Sequence, residues 1–243
     1  MAIKAVVFDW GGTLTPWHEF DLLETWLSYA NVYDEHRAQE IAQALHHGEQ
    51  TRWAQQFATR GEIGTGVLEE LFMEAGVDTS SPEHAAGLEE YFTAWDPHTY
   101  TDPDALELLE KLRGHGIRTA VLSNTMWPRA HHEQVLARDG VLHLFDYLLF
   151  SSEHPTGKPH RSVFTDVLYH LDVDPEEAAF VGDRPFDDIQ GAQAIGMKGI
   201  LIPHTKLPPA HSTDLGVVPD GVAQRLGDVW DIVSNWNQGP ATS

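Results

Sequence analysis

The sequence predicts an α/β protein built on a doubly wound parallel sheet that an all-helical insert interrupts after the first strand. Three observations carry this. Ile3 to Phe8 is an almost unbroken apolar run with β-branched Ile3, Val6 and Val7, the pattern of a strand buried on both faces, and it ends in Asp9 followed by Gly11 and Gly12. From about Pro16 to Pro97, the segments carry apolar residues at three- and four-residue spacing with no strand pattern between them. From Asp102 onward, strand and helix patterns alternate, which calls for parallel βαβ units with right-handed crossovers. The expected division is a core of residues 1–15 and 99–243 and an inserted helical unit of residues 16–98.

Taken in order, the insert contains FDLLETWLSYA, DEHRAQEIAQALHHGEQTRWAQQF, GVLEELFMEAG and PEHAAGLEEYFTAW, read as about four helices in a small antiparallel bundle. Asp102 then supplies an N-cap with Pro103 at the first helical position, and LELLEKLRGHG runs to a glycine stop. IRTAVLS reads as a strand, PRAHHEQVLARDG as a helix, FDYLLFS as a strand and PHRSVFTDVLYHLDV as a helix. A short turn at Asp174 and Pro175 leads to strand AAFVG, helix DDIQGAQAIG and strand KGILIP. His204 to Gly216 reads as loop, and RLGDVWDIVSNW as a final helix with core-facing tryptophans.

Composition removes several function classes. The 243 residues contain no cysteine, which excludes disulfides, thiolate nucleophiles and Cys-ligated metals, so any chemistry uses oxygen or nitrogen. The N-terminus lacks the features of a secretory signal and no stretch is long enough to span a bilayer, so a soluble cytoplasmic protein is expected. Thirty-seven acidic residues against fifteen Lys and Arg give a net charge of −22, which repels nucleic acid and anionic membranes. An anionic substrate then needs a locally positive site, and a bound divalent cation supplies one.

Four separated pieces carry the chemistry: FDWGGTL with Asp9 and Thr13, VLSNT with Ser123 and Asn124, TGKPHRSVF with Lys158, and VGDRPFDDIQGA with Asp183, Asp187 and Asp188. Each lies at or just beyond the C-terminal end of an expected strand, and in a parallel sheet those ends share one edge. The set suits attack on a phosphoryl or similar electrophile. Asp9 is the candidate nucleophile, with Mg²⁺ expected on Asp9, Asp183, the Gly11 carbonyl and Asp188, and with Asp187 as an alternative outer acid. Lys158 adds fixed positive charge, while Ser123, Asn124 and backbone N–H groups of the Gly12–Thr13 turn receive the remaining oxygens. Taken singly, Asp9 could cap a turn, Lys158 could be solvated, Ser123 and Asn124 could cap a helix and the three aspartates could favour a helix dipole. Their joint order after successive strands is what points to one shared site.

These residues resemble the haloacid dehalogenase-like hydrolase superfamily, whose members mostly hydrolyse phosphate esters. The resemblance spans Ile3 to Thr13 and Thr119 to Ile202, with all four family motifs in order. It implies a Rossmann-like core with a helical cap inserted between the first and second motifs, Asp9 as nucleophile, Ser123 as phosphate-binding hydroxyl, Lys158 as the motif-three lysine, and Asp183 with Asp188 as the motif-four acids. It further implies a Mg²⁺ cofactor, an aspartyl-phosphate intermediate and a small anionic substrate under a closing cap. One position departs from the pattern. Family phosphatases carry an acid/base aspartate two residues after the nucleophile, and here that residue is Gly11. Loss of such a group costs about 10²–10⁴-fold in rate. The leaving group is therefore expected to be a good one, or a cap residue delivers the proton, or the bond cleaved is C–P or carbon–halogen; a weakly catalytic, ligand-binding member is a further alternative.

The first motif looks phosphonatase-like, but those enzymes use a cap lysine, and the five lysines here, Lys4, Lys111, Lys158, Lys198 and Lys206, all lie outside the insert. Dehalogenases need no metal, whereas the Asp183 and Asp188 pair is present. His18 is a candidate replacement acid/base or substrate ligand, with an ordinary linker role as its alternative. Arg184 is the preferred auxiliary cation, ahead of Arg52 and Arg60, for which surface ion pairing is the simpler reading. Trp10, Trp17, Trp26 and Trp127 are candidates either for a pocket or for core packing. No coiled-coil repeat specifies an oligomer, and either a monomer or a homodimer fits.

Overall fold

The computed structural model describes residues 1–16, 19–203 and 216–239. Its parallel sheet runs β3-β2-β1-β4-β5-β6, formed by β1 (Ala5–Phe8), β2 (Arg118–Ser123), β3 (Tyr147–Phe150), β4 (Ala178–Gly182), β5 (Lys198–Leu201) and β6 (Gly221–Val222). β1 is central. Its sequence neighbour β2 lies on one side and β4 on the other, with Phe8 level with both Val121 and Val181. Asp9, the end of β2 and Asp183 therefore come to the same edge of three adjacent strands, where open α/β sheets place ligands.

The apolar run of β1 divides by the two-residue period of a strand. Val6 and Phe8 join the core on one face with Val121, Val181 and Ile200, while Ala5 and Val7 join the other with Leu122, Phe164, Phe180 and Met197. Burial on both faces explains why the run lacks polar alternation.

Between β1 and β2 lie α1 (Leu22–Tyr33), α2 (Ala38–Ala58), α3 (Leu68–Glu74) and α4 (Pro82–Trp95), the all-helical insert. Asp21 caps α1 by accepting from the Leu23 N–H, and Ser81 caps α4, whose Pro82 occupies the first turn. The helices meet over stacked Trp26 and Tyr91, whose ring centroids are 4.4 Å apart, and over Tyr29, whose hydroxyl bonds His84 Nδ1 at 2.8 Å. α5 (Ala105–Gly114), α6 (Arg129–Arg138) and α7 (Arg161–Leu171) then alternate with strands.

Two local features differ from the sequence reading. The helix expected over DDIQGAQAIG is a π-helical turn, Pro185–Gln190, that continues into a short α8 (Gly191–Gln193). β6 adds an edge strand too short to leave a periodic signature. On the final helix, α9 (Asp228–Gln238), Val229 and Val233 are buried, and Trp230 and Trp236 pack half-buried against the core, the core-facing placement expected of them. The loop expected from His204 lies outside the described residues up to position 215. Among the described residues, no helix is long and apolar enough to cross a membrane.

The insert is clamped to the core along 56–68. Gln56 Nε2 donates to the Lys158 carbonyl at 3.1 Å, the Gly157 N–H to Gly61 at 2.9 Å, the Leu68 N–H to Met126 at 2.9 Å, and Thr65 Oγ1 to the Thr125 carbonyl at 2.9 Å. Gly61 is required at its place: its φ is +76°, and an added Cβ would lie 2.1 Å from the Gly157 carbonyl oxygen.

Candidate active site

Asp9 leaves β1 with its N–H bonded to the Val181 carbonyl at 2.9 Å, so the strand's own ladder fixes where its carboxylate points. Lys158 Nζ donates to Asp9 Oδ1 at 2.6 Å and to Asp188 Oδ1 at 2.7 Å, and all three residues are buried. The Arg184 N–H donates to the second Asp188 oxygen, Oδ2, at 2.9 Å. Asp183 directly follows β4, and the π-helical turn after it carries Asp188 back onto the same edge. Ligand oxygens of Asp9, Asp183 and Asp188 all lie within 4.8 Å of one another.

Burial pushes the Asp9 carboxyl up, partly opposed by Lys158, and pushes Asp183 well above its ordinary value, partly opposed by Arg184. Burial draws Lys158 down, but Asp188 and Asp9 outweigh it and leave the ammonium more firmly protonated. Asp187, buried and 3.6 Å from Arg184 Nη1, is raised to about 6 by burial. Three crowded, desolvated carboxylates with oxygen-only donors form a set that a hard divalent cation such as Mg²⁺ fits, because it relieves the negative charge that burial penalises.

The remaining predicted residues fall into groups. Ser123 ends β2 beside this cluster and lines the cavity above it, and its hydroxyl makes a 3.5 Å contact to the Asn124 carbonyl. Asn124 also borders the cavity, but its amide grips the Lys158 backbone. Gly11 lines the cavity, and an added Cβ there would meet nothing within 4 Å. The N–H groups expected to receive substrate oxygens are occupied inside the turn: Gly12 donates to Thr15 at 2.8 Å and Thr13 to Trp10 at 3.3 Å. Gly12 contributes instead a close approach, with φ +84° and room for no side chain beside Asp183.

Arg184 lines the cavity, its guanidinium carbon 5.9 Å from the Trp53 ring centroid. Arg52 turns away to ion pairs with Glu70 and Glu74. His18 and Trp17 lie outside the described residues. His131 and His132 are buried among aromatic rings beneath the site.

The cavity measures about 160 Å³ and is walled by Trp10, Trp53, Trp95 and Trp127, with Glu49 from the insert facing it. Trp53, Trp95 and Glu49 were not singled out from sequence. For Glu49 and Trp53 the signal was present in α2, where positions 41, 42, 45, 49, 53 and 56 continue one helical stripe that Glu49 interrupts with a charged residue.

A sequence model described as haloacid dehalogenase-like hydrolase matches residues 3–196. Among curated proteins, a phosphoserine phosphatase of Thermus thermophilus is 34% identical over 68% of this chain, which spans 63% of that relative's length. A glyceraldehyde 3-phosphate phosphatase of Methanopyrus kandleri is 26% identical, covering 95% of this chain and 97% of its own. A ribulose-1,5-bisphosphate 5-phosphatase of Halopiger xanaduensis is 29% identical, covering 95% and 99%. Solved structures share the fold: a HAD phosphatase from Thermococcus onnurineus (TM-score 0.65, 22% identity, covering 95% and 98%) and an L-2-haloacid dehalogenase from Xanthobacter autotrophicus (0.63, 22%, covering 96% and 99%).

Proposed function

Because the chain belongs to the haloacid dehalogenase-like hydrolases, we propose that it is a Mg²⁺-dependent phosphatase of a small phosphorylated metabolite, acting through Asp9 as nucleophile. The observation that carries this reading is the buried Asp9, Asp183 and Asp188 cluster crossed by Lys158 at 2.6 and 2.7 Å and opening into the aromatic-walled cavity. The full-length similarity to two curated sugar- and triose-phosphate phosphatases supports phosphoryl over other electrophiles. In this reading residues 1–15 and 99–243 form the catalytic core and residues 16–98 the cap.

Asp9, Asp183, Asp188 and the Gly11 carbonyl would hold the metal, whose positive charge masks the anionic phosphoryl group against the incoming carboxylate. Lys158 neutralises Asp9 and Asp188 and turns its remaining donor capacity toward the phosphoryl oxygens, with the Ser123 hydroxyl and Arg184 as further ligands. Asp9 attacks phosphorus, the bond to the leaving oxygen breaks, and water then cleaves the aspartyl phosphate. Asn124 acts by holding Lys158. A cavity of about 160 Å³ suits a leaving portion of a few carbon atoms, and its indole walls exclude bulk water from the intermediate.

Phosphate release from a panel of small phosphate esters, with and without Mg²⁺, tests the reading. Metal-dependent turnover that Asp9→Asn abolishes is the expected result. Equal turnover by Asp9→Asn, or release only of halide from haloacids, would refute it.

A further inference from the structure

We propose that Glu49, carried by α2 of the insert, is the general acid–base that stands in for the side chain missing at Gly11; this rests on the phosphatase reading above. The space beside Gly11 is open, so no neighbouring group has moved into the vacated position. Among the described residues lining the cavity, the ionisable ones are Asp9, Lys158, Arg184 and Glu49. Asp9 is the nucleophile, Lys158 is committed to two carboxylates, and Arg184 stays charged at any working pH. Only Glu49 has a proton to exchange.

Its placement suits the task. In an in-line displacement the leaving oxygen lies opposite the nucleophile. Asp9 rises from the sheet edge, and Glu49 faces the same cavity from α2, the wall contributed by the insert. The Trp26 indole Nε1 donates to Glu49 Oε2 at 2.8 Å, which fixes the carboxyl where it borders the cavity. No Lys or Arg among the described residues forms an ion pair with it. Burial among indoles pushes its pKa up, against the opposing pull of the Trp26 and Trp53 N–H groups, which favours the protonated form a general acid needs.

The proton ledger closes without a further reactant. As Asp9 bonds to phosphorus and the phosphorus–oxygen bond to the leaving group breaks, the Glu49 proton passes to that oxygen and the alcohol departs. Water then enters the vacated place. Glu49 takes its proton as the new oxygen bonds to phosphorus and the bond to Asp9 breaks, which restores both carboxyl groups and releases inorganic phosphate.

The test compares glycerol 3-phosphate with p-nitrophenyl phosphate, whose leaving group needs little protonation. Glu49→Gln keeps the acceptor for Trp26 but cannot transfer a proton. Its kcat on the alkyl ester is expected to fall by about 10²–10⁴-fold. With the aryl ester, the first turnover falls far less and is followed by slow release, so that phosphorylated enzyme accumulates and is seen as added mass on the intact chain. Introducing Gly11→Asp into that variant fills the open space and is expected to recover at least about tenfold of the alkyl turnover. An equal loss of the first turnover on both esters, a change in KM alone, or no change would overturn the proposal. Gly11→Asp in the otherwise unchanged protein gives a reading that needs no change at Glu49. A gain of about 10²-fold or more would show that no acid was in place and would overturn the proposal. An unaltered protein inactive on every ester tested would remove the phosphatase reading itself, an outcome distinct from these.

Discussion

Asn124 holds the backbone of Lys158 at both ends: its Oδ1 accepts the Lys158 N–H at 2.8 Å and its Nδ2 donates to the Lys158 carbonyl at 3.0 Å. The clasp ties the loop after β2 to the loop that carries the lysine, 34 residues away in sequence. Gln56 shares the same carbonyl at 3.1 Å, so the insert reads the lysine's position as well. Asn124→Ala is therefore expected to lower kcat by about 10²-fold through a misplaced ammonium. Stability should fall by only about 1–3 kcal/mol for the lost buried bonds. Steady-state kinetics beside thermal melts separate the two effects, and an unchanged kcat would show that Lys158 is held by other means.

The three-carboxylate cluster predicts that a divalent cation stabilises the fold. At Mg²⁺ a hundredfold above its dissociation constant, linkage gives about 2.7 kcal/mol. Asp183→Asn should abolish most of that gain while leaving the metal-free protein at least as stable, because it removes a buried carboxylate that desolvation already penalises. Melting curves with and without Mg²⁺ measure both. A variant that keeps the full Mg²⁺ shift would place the metal elsewhere.

Adjacent glycines are expected to behave oppositely. Gly12 has φ +84°, and its added Cβ would lie 2.6 Å from Asp183 Oδ2, so Gly12→Ala should cost about 1–3 kcal/mol and weaken Mg²⁺ binding. At Gly11 the φ is ordinary for an L residue and the added methyl meets nothing, so Gly11→Ala should change stability by less than about 1 kcal/mol. Chemical denaturation of both variants checks the contrast. Equal effects would mean that turn geometry, rather than the approach to Asp183, sets the requirement.

Much of this was legible in the sequence because parallel sheets impose order on it. An apolar run buried on both faces and ending in Asp9, followed by alternating units, places every strand's C-terminal end on one edge, and Asp9, Ser123, Lys158, Asp183 and Asp188 meet there. What was not legible depends on contacts between distant segments. Asn124 reads as a phosphate ligand until the Lys158 backbone is seen to occupy its amide. The Gly12 and Thr13 amides read as free donors until the turn closes on Thr15 and Trp10. Glu49 sits where the α2 stripe calls for an apolar residue, a conflict between local pattern and residue type that gains meaning only once the cavity it borders is known.

The two histidines of α6 set an acid limit on stability. His132 is fully buried, stacked on Phe150 with ring centroids 4.3 Å apart and bonded through Nε2 to Thr125 Oγ1 at 3.1 Å, while His131 stacks on Phe92 at 3.7 Å. Burial lowers His131 to about 4 and His132 to about 3. In the unfolded chain each titrates near 6.5, so the unfolded state binds protons first as pH falls. Both contributions are therefore complete above about 6.5 and are lost progressively toward 4 and 3. Between about pH 7.5 and pH 5 the loss is roughly 2 kcal/mol for each histidine. His132→Phe keeps a ring against Phe150 and removes the titrating group. Its unfolding free energy should fall by roughly 2 kcal/mol less than that of the unaltered protein over the same interval, whatever the variant costs at neutral pH. Urea unfolding at the two pH values decides the matter, since an identical fall in both proteins would mean that His132 accepts its proton within the folded state.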